Sequence, residues 1–582
     1  MIDVLAIGAV SPLGLDASAW SNGPLGAAAS TAIAHDPTLA AAGLKKPFSG
    51  RVIGRHLSPD GADPATTMLL RALSPLEGAI VAAGARLGVS VGTSSGGMAS
   101  AERLFSARRA GEEISPTLAR AASYHAPFRA LLDRLLALGV APARRAHLLT
   151  ACSSSTLAIG LAMRWLSLGE CDLVLAGGYD ALTIFVAAGF EALGATTAAP
   201  PPRPSRLERD GMSLGEGAAL LLLARAGERP SAIARLAGFG ASGDAVHLTA
   251  PDRTGSGLAR AAERALEEAR LAPAEIGLAS VHGTSTPFND PMEAKALARA
   301  LERGEGASVP IVASKATIGH TLGAAGALET ALAIDALMRG VLPATPGEGT
   351  LDPEAPSGVR AGNEARALSA VLKLSSAFGG ANAALVLTPA EAPVVAPARA
   401  RLGVRVAVSR SIAGPPDLAE LAARCGVARE KLGRMDATSH LALFALATLA
   451  EEVGRDRLKG AGLVVGSCLA TIDVNGAYDD NLHRRGAAHA EARRFAYTTP
   501  NAAAGECAIA FGLTGPNVAV GRGPDAWLEA EEIARDLVAA GDAERIVVVG
   551  LEADGPLARL QAERAPFEVR FGASVRLIEH DA

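Results

Sequence analysis

AHLLTACSSSTLAIGLAMRWLSLGE, residues 146–170, changes its period once, and that change decides how the chain is read. Leu148–Ala151 is a short apolar run and reads as a buried strand. It stops at Cys152. Ser153, Ser154 and Ser155 then open a helical segment: Leu157, Leu161 and Trp165 share one stripe, Ala158 and Ala162 lie beside it, and Gly169 stands where a left-handed residue ends a helix. One thiol is thereby placed on a sharp strand-to-helix turn, at the positive end of a helix dipole. A free thiol titrates near ~8.5 and is only a few per cent ionised at pH 7, and a helix N-terminus can lower that value. A fall of ~1.5 units leaves about half of it as thiolate. Two readings stand at this point, a nucleophile or a buried structural Cys ahead of a Ser-capped helix. The rest of the chain separates them.

A chain of 582 residues implies two or more domains and ample core. Hydrophobic residues make up 49% but aromatics only 3%, so the apolar content is mostly Ala, Leu and Val. That composition suits close packing of helices on parallel sheets. No apolar run approaches the ~18 residues of a membrane span. The start, MIDVLAIGAVSP, has an acid where a signal peptide has basic residues, which reads as cytoplasmic. A net charge of −5 with dispersed signs offers no basic stripe for nucleic acid. The five cysteines (152, 171, 425, 468 and 507) show no CxxC spacing, which points to a reducing compartment without disulfides or a metal site. Lys is scarce beside Arg, so a Lys inside a motif, such as Lys315, stands out.

Along the chain, short apolar runs alternate with helical stretches. Residues 2–10, 87–91, 173–178, 220–224, 231–238 and 277–281 read as strands, and 66–73, 76–85 and 258–270 as helices. The alternation predicts an α/β fold with a mostly parallel sheet. Residues 388–400, TPAEAPVVAPARA, read as a linker. Beyond it lies an internal repeat. GLVVGSCLATI (462–472) echoes GVSVGTSSGGM (88–98), and GDAERIVVVGLE (541–552) echoes GECDLVLAGGYD (169–180). The spacing from Cys152 to Gly178 maps in the repeat from Pro524 to Gly550, so the copy carries Pro where the first segment has its thiol. The copy therefore reads as catalytically dead, with Trp527, Leu528, Ile533 and Leu537 as its helix's apolar positions. The domain reading is 1–235 (nucleophile half), 236–390 (a half with two His), a linker at 391–402, and the degenerate copy at 403–582.

Further candidates for chemistry follow Cys152. His282 ends a predicted strand and is followed by GTSTP; functional groups of open α/β sheets gather at such strand ends. Asp290, Pro291 and Glu293 have the pattern of an N-cap, N1 and N3 capping box for a helix over 291–302, and Glu293 is also placed to face Lys315. His320, in ASKATIGHTLGAAGALE, starts a small-residue helix whose dipole keeps an imidazole neutral. A neutral imidazole suits stabilisation of an enolate or oxyanion. SSAFGGAN (375–382) is a Gly-rich turn with one aromatic, Phe378. GFGASG (238–243) fits GxGxxG, but no apolar-periodic helix follows, and Walker A and HExxH patterns are absent.

The thiol turn, HGTSTP and SKATIGHTLGAAGALE, in that order, resemble the beta-ketoacyl synthase (condensing enzyme) family over about residues 1–390, together with GTSSGG, AGGYD, RDGMSLGEGA, SGDAVHLTAP and AFGGAN. The resemblance implies a thiolase-like duplicated α/β/α/β/α fold. Cys152 would accept an acyl chain from an acyl carrier protein. His282 and His320 would bind the malonyl thioester and promote its decarboxylation, and the carbanion would attack the acyl-Cys152 in a Claisen condensation. The backbone N–H groups of Cys152 and Phe378 would form an oxyanion hole. Lys315 would hold the His pair with Glu293 as partner, Thr284 and Thr286 would bind the pantetheine arm, and Phe378 would gate the site. The resemblance implies no metal and no cofactor beyond the 4′-phosphopantetheine of the carrier. The Cys-His-His set is that of an elongating synthase. Three departures stand out: Ala377 where the gate loop has Gly, Arg206 in place of an acid, and no GLxGP ahead of the nucleophile strand, although the copy keeps one at 512–517. Residues 403–580 resemble the N-terminal half of a Cys-less, chain-length-factor-like synthase, so the expected assembly is a homodimer or an intrachain pseudo-dimer. An acyltransferase or malonyl decarboxylase of the same fold, and a non-catalytic carrier-docking partner, remain open alternatives.

Overall fold

The computed structural model of the chain describes residues 1–15, 31–52, 62–302, 309–394, 401–414, 417–565 and 567–581. Of the expected linker, residues 395–400 lie outside the described residues.

Fifteen strands make one mixed sheet. In chain order they are β1 (Ile2–Val10), β2 (Leu87–Gly92), β3 (Arg144–Leu148), β4 (Leu173–Asp180), β5 (Gly217–Arg225), β6 (Ala234–Gly243), β7 (Leu278–Ser280), β8 (Ile311–Val312), β9 (Val371–Ser376), β10 (Ala381–Thr388), β11 (Val404–Ile412), β12 (Gly462–Gly466), β13 (Asn517–Val520), β14 (Arg545–Glu552) and β15 (Gly572–His580). Their spatial order is β8-β7-β9-β10-β6-β1-β5-β4-β2-β3-β13-β12-β14-β15-β11. Strands such as β2 and β4 are buried at every position, which is why they read as unbroken apolar runs rather than alternating ones. The GxGxxG match lies inside β6, where the glycines admit close packing: a Cβ on Gly238 or Gly240 would meet the Ala265 or Ala261 carbonyl at 2.0 Å.

The repeat becomes a two-fold axis. The run β1-β5-β4-β2-β3 is mirrored by β11-β15-β14-β12-β13, with parallel and antiparallel pairs in the same places. Even the irregularity between Val4 and Ala6 of β1 recurs between Val406 and Val408 of β11. The halves meet where β3 runs antiparallel to β13, with Leu148 opposite Val520. Counting back four residues from Cys152 and from Pro524 gives that same pair, so each half presents the equivalent residue to the other. Leu149 N donates to the Ala519 carbonyl at 2.7 Å and Gly521 N to the His147 carbonyl at 3.0 Å, completing the seam.

The sheet folds around a central pair of helices, α1 (Ser154–Ser167) and α2 (Ala325–Arg339). Every residue of α1 from Ser154 to Leu166 is buried, because it touches β2 and β4 on one side and β6 and β10 on the other. Its counterpart in the copy, α4 (Ala526–Ala539), follows α3 (Ala502–Phe511) and keeps Ile533 and Leu537 in the core. Trp527 is only half-buried and Leu528 is exposed, which corrects the expectation that both pack inward. No second half-fold covers α4 among the described residues, and its outer face carries Glu531, Glu532 and Arg535 instead.

Candidate active site

β3 ends at Leu148, three residues before the apolar run does, and the chain turns through a single 3₁₀ turn, Ala151–Ser153, into α1. Ala151 holds a positive φ of 46°, a conformation costly for a residue with a Cβ and kept only where the surroundings impose it. Ser153 does not cap the helix; its hydroxyl donates to the Thr150 carbonyl (3.1 Å), and Ser154 Oγ donates to the Ala151 carbonyl (2.7 Å). These bonds tie down both sides of Cys152. The thiol is 6% exposed, and burial pushes its pKa up to about 12, with Lys315 pulling the other way. Burial therefore works against the lowering that a helix N-terminus can give.

His320 and His282 come from the other half of the fold. His320 Nε2 lies 3.0 Å from Cys152 Sγ, and the two imidazoles stand edge to face with centroids 5.5 Å apart. Both are held well below the ordinary imidazole pKa, by burial first and then by the cations of Lys315 and Lys373. The expected neutrality is found, but not its expected cause: His320 precedes α2 by five residues, and a 3₁₀ turn intervenes. Lys315 Nζ is 3.3 Å from His282 Nδ1, so Nδ1 accepts and the ring's proton sits on Nε2.

Two expected partnerships are overturned. Lys315 pairs not with Glu293 but with Glu329 of α2, at 2.5 Å, both side chains 1% exposed. Glu293 instead accepts from the backbone N–H groups of His282 (2.6 Å) and Gly283 (2.7 Å) and from Asn289 Nδ2 (2.8 Å), fixing the turn that carries the imidazole. Burial pushes its pKa up to about 7. The capping box is also absent: the helix runs from Asn289 to Ala300, and Asp290 accepts from Ser285 N and Ser205 N rather than capping it. The carboxylates are spent on neighbouring loops that no local pattern reveals.

Cys152, His282, His320, Thr284, Thr286 and Phe378 line one cavity of about 320 Å³. The two threonine hydroxyls bond each other at 2.9 Å along its wall. A smaller cavity of about 30 Å³ continues from Cys152 behind Phe378, between Phe190 and, from the copy, Phe495, Thr498 and Thr499. Phe378 packs on Phe190 (5.6 Å), which packs on Phe495 (5.3 Å). The loop departure is harmless: Ala377 is extended (φ −141°), and the left-handed positions are Gly379 and Gly380. Arg206 is buried, its backbone bridged to Leu351.

Sequence reasoning missed Glu329, Lys373, Asn501 and Phe495. Lys373, in VLKLSS, satisfies the rule that a Lys inside a motif stands out. Glu329 is an acid in an otherwise apolar helix, a signal of the same kind. Asn501 Nδ2 donates to the Phe378 carbonyl at 2.7 Å from 123 residues away, and nothing local announces it.

A thiol on a strained strand-to-helix turn, faced by two imidazoles from the other half of a duplicated α/β fold, is the arrangement that the resemblance to the condensing enzymes implies. The comparisons with known proteins make this particular. The model of the beta-ketoacyl synthase N-terminal domain matches residues 58–229 and again 421–563, and that of the C-terminal domain matches 233–347; the chain belongs to the beta-ketoacyl synthase family. It is 30% identical over 255 residues to "3-oxoacyl-[acyl-carrier-protein] synthase 2" of Rhizobium meliloti (strain 1021), covering 41% of this chain and 59% of that one. It is 35% identical over 257 residues to "Actinorhodin polyketide putative beta-ketoacyl synthase 1" of Streptomyces coelicolor, covering 42% and 54%. The matches thus span less than two thirds of these relatives' lengths. In fold, a solved "PfaC Keto synthase-Chain length factor" superposes over 100% of this chain and 78% of its own, with TM-score 0.76 at 16% identity. A chain of the solved complex "AntDE:AntF (apo): type II PKS acyl-carrier protein in complex with its ketosynthase bound to the hexaketide" matches 67% of this chain and 98% of its own, with TM-score 0.60 at 26% identity.

Proposed function

We propose that the chain catalyses decarboxylative Claisen condensation between an acyl group on Cys152 and a malonyl thioester carried by an acyl carrier protein, in fatty-acid or polyketide-type biosynthesis. The observation that carries this is the Cys152–His320 contact with His282 beside it, its Nε2–H fixed by Lys315.

The thiol gives its proton to His320 as Sγ attacks the carrier thioester, and the imidazolium returns it to the departing pantetheine thiolate. Burial keeps that imidazolium transient, so the neutral ring is restored for the second half-reaction. The malonyl thioester then enters the 320 Å³ cavity past Thr284 and Thr286. Its carboxylate–carbon bond breaks, carbon dioxide leaves, and the electron pair becomes an enolate whose oxygen accepts from the His282 Nε2–H group. The enolate carbon attacks the acyl carbonyl, the oxyanion is held by the Cys152 and Phe378 backbone N–H groups, and collapse expels the Cys152 thiolate. Preorganised donors in a water-poor site are worth a few kcal/mol each to such charge development. The copy, lacking the thiol at Pro524, supplies the place a second protomer would take. The five cysteines are all free and buried, which supports a reducing, cytoplasmic setting.

Full-length protein incubated with acyl-carrier thioester gains the acyl mass on the Cys152 peptide, and malonyl-carrier then converts it to a 3-oxoacyl-carrier. Cys152→Ala abolishes both. Condensation that survives that substitution, or carbon dioxide release without 3-oxo product, overturns the assignment.

A further inference from the structure

Two buried ammonium groups share the one carboxylate of Glu329. Lys315 Nζ lies 2.5 Å from Oε1 and Lys373 Nζ 2.7 Å from Oε2, and all three side chains are at most 1% exposed. Lys373 sits on β9, just ahead of the Ala377–Gly380 loop, and lines neither cavity. Its remaining donors go to the Leu374 carbonyl and to Ser375 Oγ (2.9 Å), and Ser375 Oγ is 2.8 Å from Thr156 Oγ1 of α1. The ammonium thus makes two hydrogen bonds and one ion-pair contact. A methionine would fill the same space without the desolvation cost of a buried cation, so packing alone does not account for the residue.

The charge count does. Lys315 and Lys373 are two cations against the single carboxylate between them. The groups that face this cluster are His282 and His320; Glu293, whose oxygens are taken by the His282 and Gly283 N–H groups; Cys152; and Asp180, tied to Thr93, Ser94, Ser95 and Gly323. Glu329 is thus the carboxylate in ion-pair contact with both ammoniums.

We propose that Lys373 is a positioning residue of the active site: by holding the second oxygen of Glu329 it leaves Lys315 only half neutralised, so that a net positive charge stands behind the two histidines and is felt at Cys152. A cation there favours thiolate over thiol, neutral imidazole over imidazolium, and enolate over ketone. All three aid the proposed condensation, and the inference rests on that reading for its consequence, though not for its test.

The test uses the full-length protein without substrate: iodoacetamide alkylation of the Cys152 peptide, followed by mass spectrometry from pH 6 to 9. Loss of one nearby cation is worth about one pKa unit, a tenfold change in thiolate fraction. Lys373→Met is expected to alkylate about tenfold more slowly at pH 8, and Lys373→Arg at close to the wild-type rate. Glu329→Gln, which leaves both cations unbalanced, is expected to alkylate faster. A cooperatively melting Lys373→Met with the wild-type rate at every pH overturns the proposal. Should Lys373→Met not fold, Glu329→Gln decides: a faster rate supports the proposal, and an unchanged or slower one overturns it. Failure of the wild type to form 3-oxoacyl product would refute the reaction proposed above and leave this test standing.

Discussion

Phe495 belongs to the degenerate copy, yet its ring closes the small cavity behind Cys152. It is 3% exposed and stands against the backbone of Gly189, where an added Cβ would lie 2.2 Å from the ring. The cavity of about 30 Å³ holds roughly two water-sized groups, so an acyl unit longer than about two carbons has no room there. Phe495→Ala removes the ring from the cavity's far wall. Its stability cost is about 3–5 kcal/mol for a buried aromatic. Its functional effect is the opposite in sign for long acyl groups, since each methylene newly buried is worth about 0.8 kcal/mol, or roughly fourfold. Four added methylenes multiply to about 200-fold, an upper bound on the gain of hexanoyl over acetyl. The assay is competition among acetyl-, butyryl-, hexanoyl- and octanoyl-carrier thioesters, read as the acyl masses on Cys152. Phe495→Leu is a milder variant expected to move the distribution part of the way. An Ala variant that melts cooperatively and keeps the wild-type acyl distribution refutes the reasoning that the copy limits the acyl group.

Three further outcomes are expected. Asn501→Ala leaves the Phe378 carbonyl without its 2.7 Å donor, at about 1–3 kcal/mol; the loosened gate admits water, and the acyl-Cys152 half-life followed by mass spectrometry shortens. Lys315→Met removes a cation that holds both histidines below the ordinary imidazole pKa. Their pKa values rise, the neutral forms are lost at higher pH than before, and the acid limb of the kcat/KM profile moves upward; an unmoved limb would deny Lys315 that role. Arg164 of α1 pairs with Glu268 and with Asp542 of the copy, each through contacts of 2.7 Å, and is 5% exposed. Arg164→Met leaves the two carboxylates facing each other and costs about 3–5 kcal/mol, seen as a lower urea midpoint for the seam between the halves.

Contiguous residues announce the nucleophile turn, the order of the two His motifs, and the copy with Pro524 in place of the thiol. Period changes, small-residue runs and equal spacings are local properties that survive without a neighbour's help. From them came the α/β fold and the equivalence that sets Leu148 opposite Val520, while the grouping of Cys152 with His282 and His320 came from the resemblance of the ordered motifs to a known family. The tertiary structure decided what local pattern cannot carry. His320 reaches Cys152 across 168 residues, and Asn501 reaches Phe378 across 123. Glu329 rather than Glu293 takes Lys315, because a carboxylate near the start of a helix had backbone N–H groups closer to hand than the ammonium. The thiol's ionisation went the same way. A helix N-terminus can be read from sequence, but desolvation is the sum of everything packed around the sulfur, and most of that comes from elsewhere in the chain.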